Sequence, residues 1–161
     1  QEAAYHRAGK GDGERELVSV TSLLDVNVLI ASAYEWHVAH KQARAWWHRS
    51  AAKPWSTCAL TQAGFVRIIS NPGFPPHPVS LAEALQLLTE LTQRPGHRFW
   101  TIDASLEETV RPFVDRLFGH RQVTDAYLLG LAIRNKGQLV TLDKGFLALA
   151  GREFQDYVLV L

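Results

Sequence analysis

Apolar residues in this chain recur in two alternating rhythms. Short runs that are continuously apolar or β-branched, such as Leu139-Val140-Thr141-Leu142, are separated by longer stretches with apolar residues three and four apart. The short runs predict strands over 20–25, 55–59, 98–102, 138–142 and 157–161. The longer stretches predict helices over 26–35, 38–51, 61–70, 80–94, 105–117, 124–136 and 144–150. Within 80–94, Leu81, Ala84, Leu85, Leu88 and Leu91 share one helical face. Ser80-Leu81-Ala82-Glu83 and Ser105-Leu106-Glu107-Glu108 read as capping boxes, and Asn135-Lys136-Gly137 reads as a helix stop with Gly137 as the left-handed cap. Strands that alternate with helices predict an α/β fold. The expected form is a three-layer α/β/α sandwich around a central parallel sheet of about five strands.

Residues 1–18, with Ala8-Gly9-Lys10-Gly11-Asp12-Gly13, read as a disordered polar tail ahead of one domain over 19–161. The loop Asn71-Pro72-Gly73-Phe74-Pro75-Pro76-His77-Pro78 excludes helix and central strand, because proline cannot donate a backbone hydrogen bond. At 47% hydrophobic residues the chain can fill a core, yet no apolar run approaches 18 residues, so no membrane-spanning helix is expected. No apolar leader is visible, and the single cysteine, Cys58, cannot form an internal disulfide. A reducing, cytoplasmic home follows as the expectation. Cys58 itself reads as a small buried hydrophobe in its strand. Glycine-rich nucleotide-binding motifs are absent, and one cysteine gives no basis for a structural zinc site.

Net charge is only +1, but its distribution is uneven. From Trp36 to Ala82 there is no aspartate or glutamate, while Lys41, Arg44, Arg49, Lys53 and Arg67 fall there, with His37, His40, His48 and His77. Interleaved with Trp46, Trp47 and Trp55, this segment fits a surface for a polyanion. A solvated basic helix face is the plainer explanation.

Three aspartates stand where apolar runs end. Asp25 closes Ser22-Leu23-Leu24, Asp125 lies in Val123-Thr124-Asp125-Ala126-Tyr127, and Asp143 closes the run 139–142. Each has a local explanation. Asp25 suits a helix N-cap, Asp125 suits the first turn of a helix capped by Thr124, and Asp143 suits a turn. Taken together they fall on one edge of a parallel sheet, where sites gather. Three carboxylates on one edge repel each other unless a cation neutralises them. Mg²⁺ and Mn²⁺ are the usual partners of carboxylate oxygens. Asn27 would cap the same helix or hold a metal-bound water. Glu35 and Asp103 are further carboxylates near the ends of elements; Asp103 reads as a cap ahead of the Ser105 helix.

Four ordered pieces carry a family resemblance: Leu24-Asp25-Val26-Asn27-Val28-Leu29, Leu60-Thr61-Gln62-Ala63-Gly64-Phe65-Val66-Arg67, Gln122-Val123-Thr124-Asp125-Ala126-Tyr127-Leu128-Leu129, and Leu139-Val140-Thr141-Leu142-Asp143-Lys144-Gly145-Phe146. Over about residues 20 to 150 the chain resembles the PIN-domain ribonucleases, in particular the VapC-type toxins of bacterial toxin–antitoxin pairs. The resemblance implies cleavage of single-stranded RNA that depends on Mg²⁺ or Mn²⁺, a cognate antitoxin and homodimerisation. It places Asp25, Asp125 and Asp143 at the acidic metal site. Gln62 stands where the family often has a glutamate, so it joins the candidate catalytic set as a departure. Arg44, Arg49, Arg67 and Lys144 are candidates to steer an RNA backbone, and Arg121, beside His120, is placed to touch a phosphate. Two rivals share the fold. A non-catalytic RNA- or protein-binding module is favoured by Gln62. A metal-dependent phosphatase is disfavoured because Asp25-Val26-Asn27 offers one acid where that chemistry uses two.

Overall fold

Five strands, β1 (Ser22–Leu24), β2 (Trp55–Cys58), β3 (His97–Trp100), β4 (Gln138–Thr141) and β5 (Val158–Val160), form one sheet in the order β3-β2-β1-β4-β5. Every neighbouring pair is parallel. The computed structural model describes residues 20–161 apart from Pro75 and His77. The tail predicted over 1–18 and those two positions of the proline-rich loop lie outside the described residues.

Alternation along each strand builds two cores, one on either face. Leu23 and Leu139 point into one, against α5 (Leu106–Val110), α6 (Val123–Arg134) and α7 (Gly145–Phe154). Leu24 and Val140 point into the other, against α1 (Val26–Ala33), α2 (His40–Arg49), α3 (Ala59–Ile69) and α4 (Leu81–Thr92). All four side chains are fully buried. Burial on both faces is why these strands read as continuous apolar runs rather than as alternating ones. Each such side chain contributes about 1.5–3 kcal/mol by leaving water.

The strand order has one consequence for function. The chain runs outward from β1 to β2 and β3, then returns to place β4 on the other side of β1. Connections therefore leave the carboxyl ends of β1 and β4 in opposite directions, which opens a crevice between them.

Several predicted boundaries move, each for a local reason. The helix expected over 105–117 is α5 followed by a 3₁₀ helix at Arg111–Arg116, because Pro112 removes a backbone donor. The helix expected over 144–150 runs on to Phe154 but breaks at Gly151 (φ 59°), and Arg116 donates to the Ala150 carbonyl left there, at 3.1 Å. The left-handed residue after α6 is Lys136 (φ 51°), not Gly137. Gly137 is small for space: a Cβ there would run into the Trp100 ring and the Thr21 carbonyl. Thr124 is not the cap of α6, which begins at Val123 after a 3₁₀ turn at His120–Gln122 and has no side-chain cap. Ser80 and Glu83 form the expected reciprocal box. Ser105 accepts from the Glu108 backbone N–H without the return bond. Cys58 is fully buried and serves as N-cap of α3.

Candidate active site

β1 delivers Asp25 to the crevice in register with β4: the Asp25 backbone N–H donates to the Val140 carbonyl at 3.0 Å. One carboxylate oxygen, Oδ1, accepts from the Val26 backbone N–H at 2.7 Å and so caps α1, a bond worth about 1 kcal/mol. The other, Oδ2, accepts from the hydroxyl of Thr141 at 2.7 Å. Thr141 ends β4 and is completely buried. Its oxygen also accepts from the Asp143 backbone N–H at 3.0 Å and from Asn27 Nδ2 at 3.3 Å. One donor and two acceptors are all a hydroxyl has, so Thr141 is saturated. Asn27 completes the link by accepting from the Leu142 backbone N–H at 3.2 Å through Oδ1. Asp25, Asn27 and the β4 turn are thus tied through one buried oxygen. Sequence reading passed over Thr141 as an ordinary β-former; the Thr-x-Asp spacing was the available signal.

Asp143 follows on the exposed side of that turn and closes it by accepting from the Gly145 N–H at 2.7 Å. Asp125 comes from the other core layer. It occupies the first turn of α6 and is half-buried. Because α6 leads into the start of β4, its first turn lies at the carboxyl edge of the sheet.

The electrostatics tie the three together. Burial raises the pKa of Asp125 to about 6, and the charges of Asp25 and Asp143 push it the same way. Asp25 is also raised, chiefly by burial; the Thr141 hydroxyl and the Val26 N–H oppose the rise, and Asp143 adds to it. Among the described residues, none of the ion pairs includes any of the three aspartates. Nor do any three His, Cys, Asp or Glu side chains stand in a finished metal-ligating cluster among the described residues. Asp25 accepts from the Val26 N–H and the Thr141 hydroxyl, and Asp143 accepts from the Gly145 N–H. Each carboxylate offers about four lone-pair sites, so acceptor capacity remains on both. A donor set of carboxylate oxygens alone, mutually repelling and without a cationic partner, fits a hard divalent ion better than zinc or copper.

Other predicted residues distribute unevenly. Gln62 donates its amide to Thr57 Oγ1 at 2.9 Å, and Thr57 in turn meets His97 Nε2 at 2.8 Å. It lines a cavity of about 610 Å³ with Leu85, Leu88 and Phe99. The point where α3 meets the Asp25 turn is Gly64, whose missing Cβ would lie 2.7 Å from Val26 Cγ2. Arg121 and Lys144 are exposed and stand four residues before Asp125 and directly after Asp143. Arg44 lies on the outer face of α2, in a groove with Glu35, His40, Lys41 and His48. Arg49 lines a separate cleft with Lys53, Ser22 and Gln138, and the last two begin β1 and β4. That cleft is at the edge opposite the aspartates. Asp103 lies 4.0 Å from Arg134, in the last turn of α6, nine residues beyond Asp125 and about 13 Å along the axis.

Of the two readings of the basic segment, the packing of its tryptophans favours the solvated helix face. Trp46 and Trp55 are 4% and 1% exposed, and Trp47 packs edge-on against both while donating to Ser32 Oγ at 2.8 Å. They fill the core beneath a basic helix face.

Three comparisons with known proteins bear on this arrangement. A family model described as the PIN domain matches residues 22–152. Ribonuclease VapC44 of Mycobacterium tuberculosis is 45% identical over 76% of this chain and 86% of its own length. Among solved structures, VapC20 of Mycobacterium tuberculosis, a toxin that cleaves the sarcin-ricin loop, aligns with TM-score 0.58 at 16% identity over 79% of this chain and 93% of its own. VapBC2 of Rickettsia felis, bound to a DNA fragment from its promoter, aligns with TM-score 0.58 at 12% identity over 78% and 90%. At such identities the two structures share the fold.

Proposed function

Because the chain belongs to the PIN-domain family, among the VapC ribonucleases, we propose that it is a divalent-metal-dependent endoribonuclease and the toxin of a toxin–antitoxin pair. The observation that carries this reading is the placing of Asp25, Asp125 and Asp143 at the carboxyl edge of the sheet, beside the crevice between β1 and β4, where their charges act on one another and none has a cationic partner among the described residues.

The three aspartates would hold Mg²⁺ or Mn²⁺ through carboxylate oxygens. When bound, such an ion activates water and neutralises charge on a phosphoryl group. The rest is done by the chain. Thr141 and Asn27 fix Asp25 against β4, so its carboxylate does not swing away from its neighbours. Asp125, rooted in a buried helix, is presented from the opposite layer. Arg121 and Lys144 bring positive charge to an edge that otherwise repels a phosphodiester. Arg44 and Arg67 extend the cationic surface for an RNA backbone. No side-chain nucleophile is required.

Partners and setting follow from the same premise. The Rickettsia felis relative is a VapBC assembly on promoter DNA, which supports a cognate antitoxin here. Exposed Leu60, Leu85, Phe99, Ile102 and Leu106 support a homodimer contact beside the β3 edge. A place in the cytoplasm belongs to the same toxin reading; no helix among the described residues is long and apolar enough to cross a membrane. Expression of the chain alone is expected to arrest bacterial growth and to leave new RNA ends in the arrested cells. Co-expression of the small protein encoded beside it should restore growth. Normal growth with intact RNA would remove the toxin reading.

A further inference from the structure

With Trp46, Trp47 and Trp55 committed to the core, one tryptophan remains in solvent. Trp36 is 45% exposed, although its ring touches two others. Its centroid lies 5.2 Å from that of Tyr34 and 5.3 Å from that of Phe74, and Tyr34 and Phe74 are 5.5 Å apart. These rings are held from behind. Tyr34 is the C-cap of α1, its N–H bonded to the Ile30 carbonyl. Phe74 is pinned by Asn71, whose carbonyl accepts from the Phe74 N–H at 2.8 Å and whose side chain accepts from the Gly73 N–H at 2.9 Å. Phe74 also shares a cavity of about 360 Å³ with Arg67, an exposed cation. The surrounding segment, 36–82, has five cations and no carboxylate.

An exposed indole backed by two further rings, with a guanidinium nearby and five cations against the single carboxylate of Glu35 over residues 34–82, suits a nucleobase and its phosphate better than an acidic or neutral protein segment. Its distance from the aspartates is also set. Asp25 and Tyr34 cap the two ends of α1, which spans about 13 Å, or about four nucleotides of stacked single strand.

Building on the nuclease reading, we infer that Trp36, backed by Tyr34 and Phe74, forms a stacking platform for an unpaired base of the RNA, about four nucleotides from the scissile phosphate, with Arg67 on the adjoining phosphate.

The test is the affinity of the full chain, in EDTA to keep the strand intact, for labelled oligoadenylate and for the same strand carrying abasic sites. Wild type should bind the complete strand about fivefold to a hundredfold more tightly. Trp36→Ala should erase that preference and Trp36→Phe should retain it. Arg67→Gln should lower the salt slope by about 0.7, the loss of one phosphate contact. Equal affinity of wild type for the two strands overturns the platform without needing any variant. If RNA cleavage persists in that case, the nuclease reading stands and the platform alone falls. If wild type neither binds nor cuts RNA, both fall. Trp36→Ala that binds RNA normally but no longer holds the co-expressed small protein assigns the patch to a protein partner, and the platform is wrong.

Discussion

Thr141 donates its hydroxyl to Asp25 across 2.7 Å, linking the last residue of β4 to the first turn beyond β1. The same oxygen receives the Asp143 N–H and the Asn27 amide. Thr141→Val keeps the shape and removes all three bonds. It leaves a buried carboxylate oxygen and two donors unpaired, at a cost of about 1–3 kcal/mol. Thr141→Ser keeps the hydroxyl and should recover most of the loss. Urea unfolding of the three proteins measures this. Equal midpoints for Thr and Val would show that the hub carries no weight.

The metal-free protein should lose stability as the pH rises. Folding raises the pKa of Asp125 from its ordinary 3.8 to about 6, so the native state holds that proton more tightly than the unfolded chain. The resulting stabilisation is complete below the unfolded value and is lost as pH climbs through about 6. Asp25 is shifted in the same direction and adds to the trend. Thermal melts in EDTA between about pH 5 and pH 8 should therefore show a falling midpoint. Asp125→Asn should flatten the curve, and Mg²⁺ should lift its alkaline end.

Gly64 is expected to resist replacement even by alanine. A helix interior favours alanine over glycine by about 1 kcal/mol. Against that, the new Cβ would sit 2.7 Å from Val26 Cγ2, and overpacking of this kind costs about 1–3 kcal/mol. Val26 is β-branched and stiff in a helix, so it cannot turn aside. Overpacking wins, and Gly64→Ala should destabilise. Adding Val26→Ala should return stability to or above that of the wild type. Denaturant midpoints of the single and double variants decide the sign.

Gln62→Glu should change the β2–β3 side rather than the metal edge. The amide now donates to Thr57, which also meets His97. A carboxylate there can only accept, so Thr57 must donate to it and His97 must supply the other proton. The pKa of His97, lowered by burial, should rise in the variant when followed by NMR. Mn²⁺ affinity by calorimetry should stay close to that of the wild type. A marked gain in affinity would bring residue 62 to the aspartates after all.

Much of the fold was legible because parallel strands buried on both faces leave unmistakable apolar runs. Leu139-Val140-Thr141-Leu142 is one such run, and its end located Asp143. Helix limits were less legible where tertiary contact decides them. The break at Gly151 depends on Arg116, 35 residues earlier. Thr141 was hidden because its chemistry appears only when β4 lies beside β1. The tryptophans of 46–55 left two readings open because interleaving with cations looks the same whether the rings face out or in. Gln62 could not be oriented from sequence, since half a helical turn separates it from Gly64.

Cleavage of a single-stranded RNA by wild type and by Asp125→Asn, each with Mg²⁺ or Mn²⁺ and again with EDTA, tests the metal-dependent nuclease most directly. Asp125 is the best choice because, unlike Asp25, it caps nothing and bonds to no hub, so its loss should spare the fold. Wild type should cut only with the ion present, and Asp125→Asn, folded by circular dichroism, should lose most of that activity. Cleavage that survives both chelation and the substitution would contradict a metal held by these aspartates.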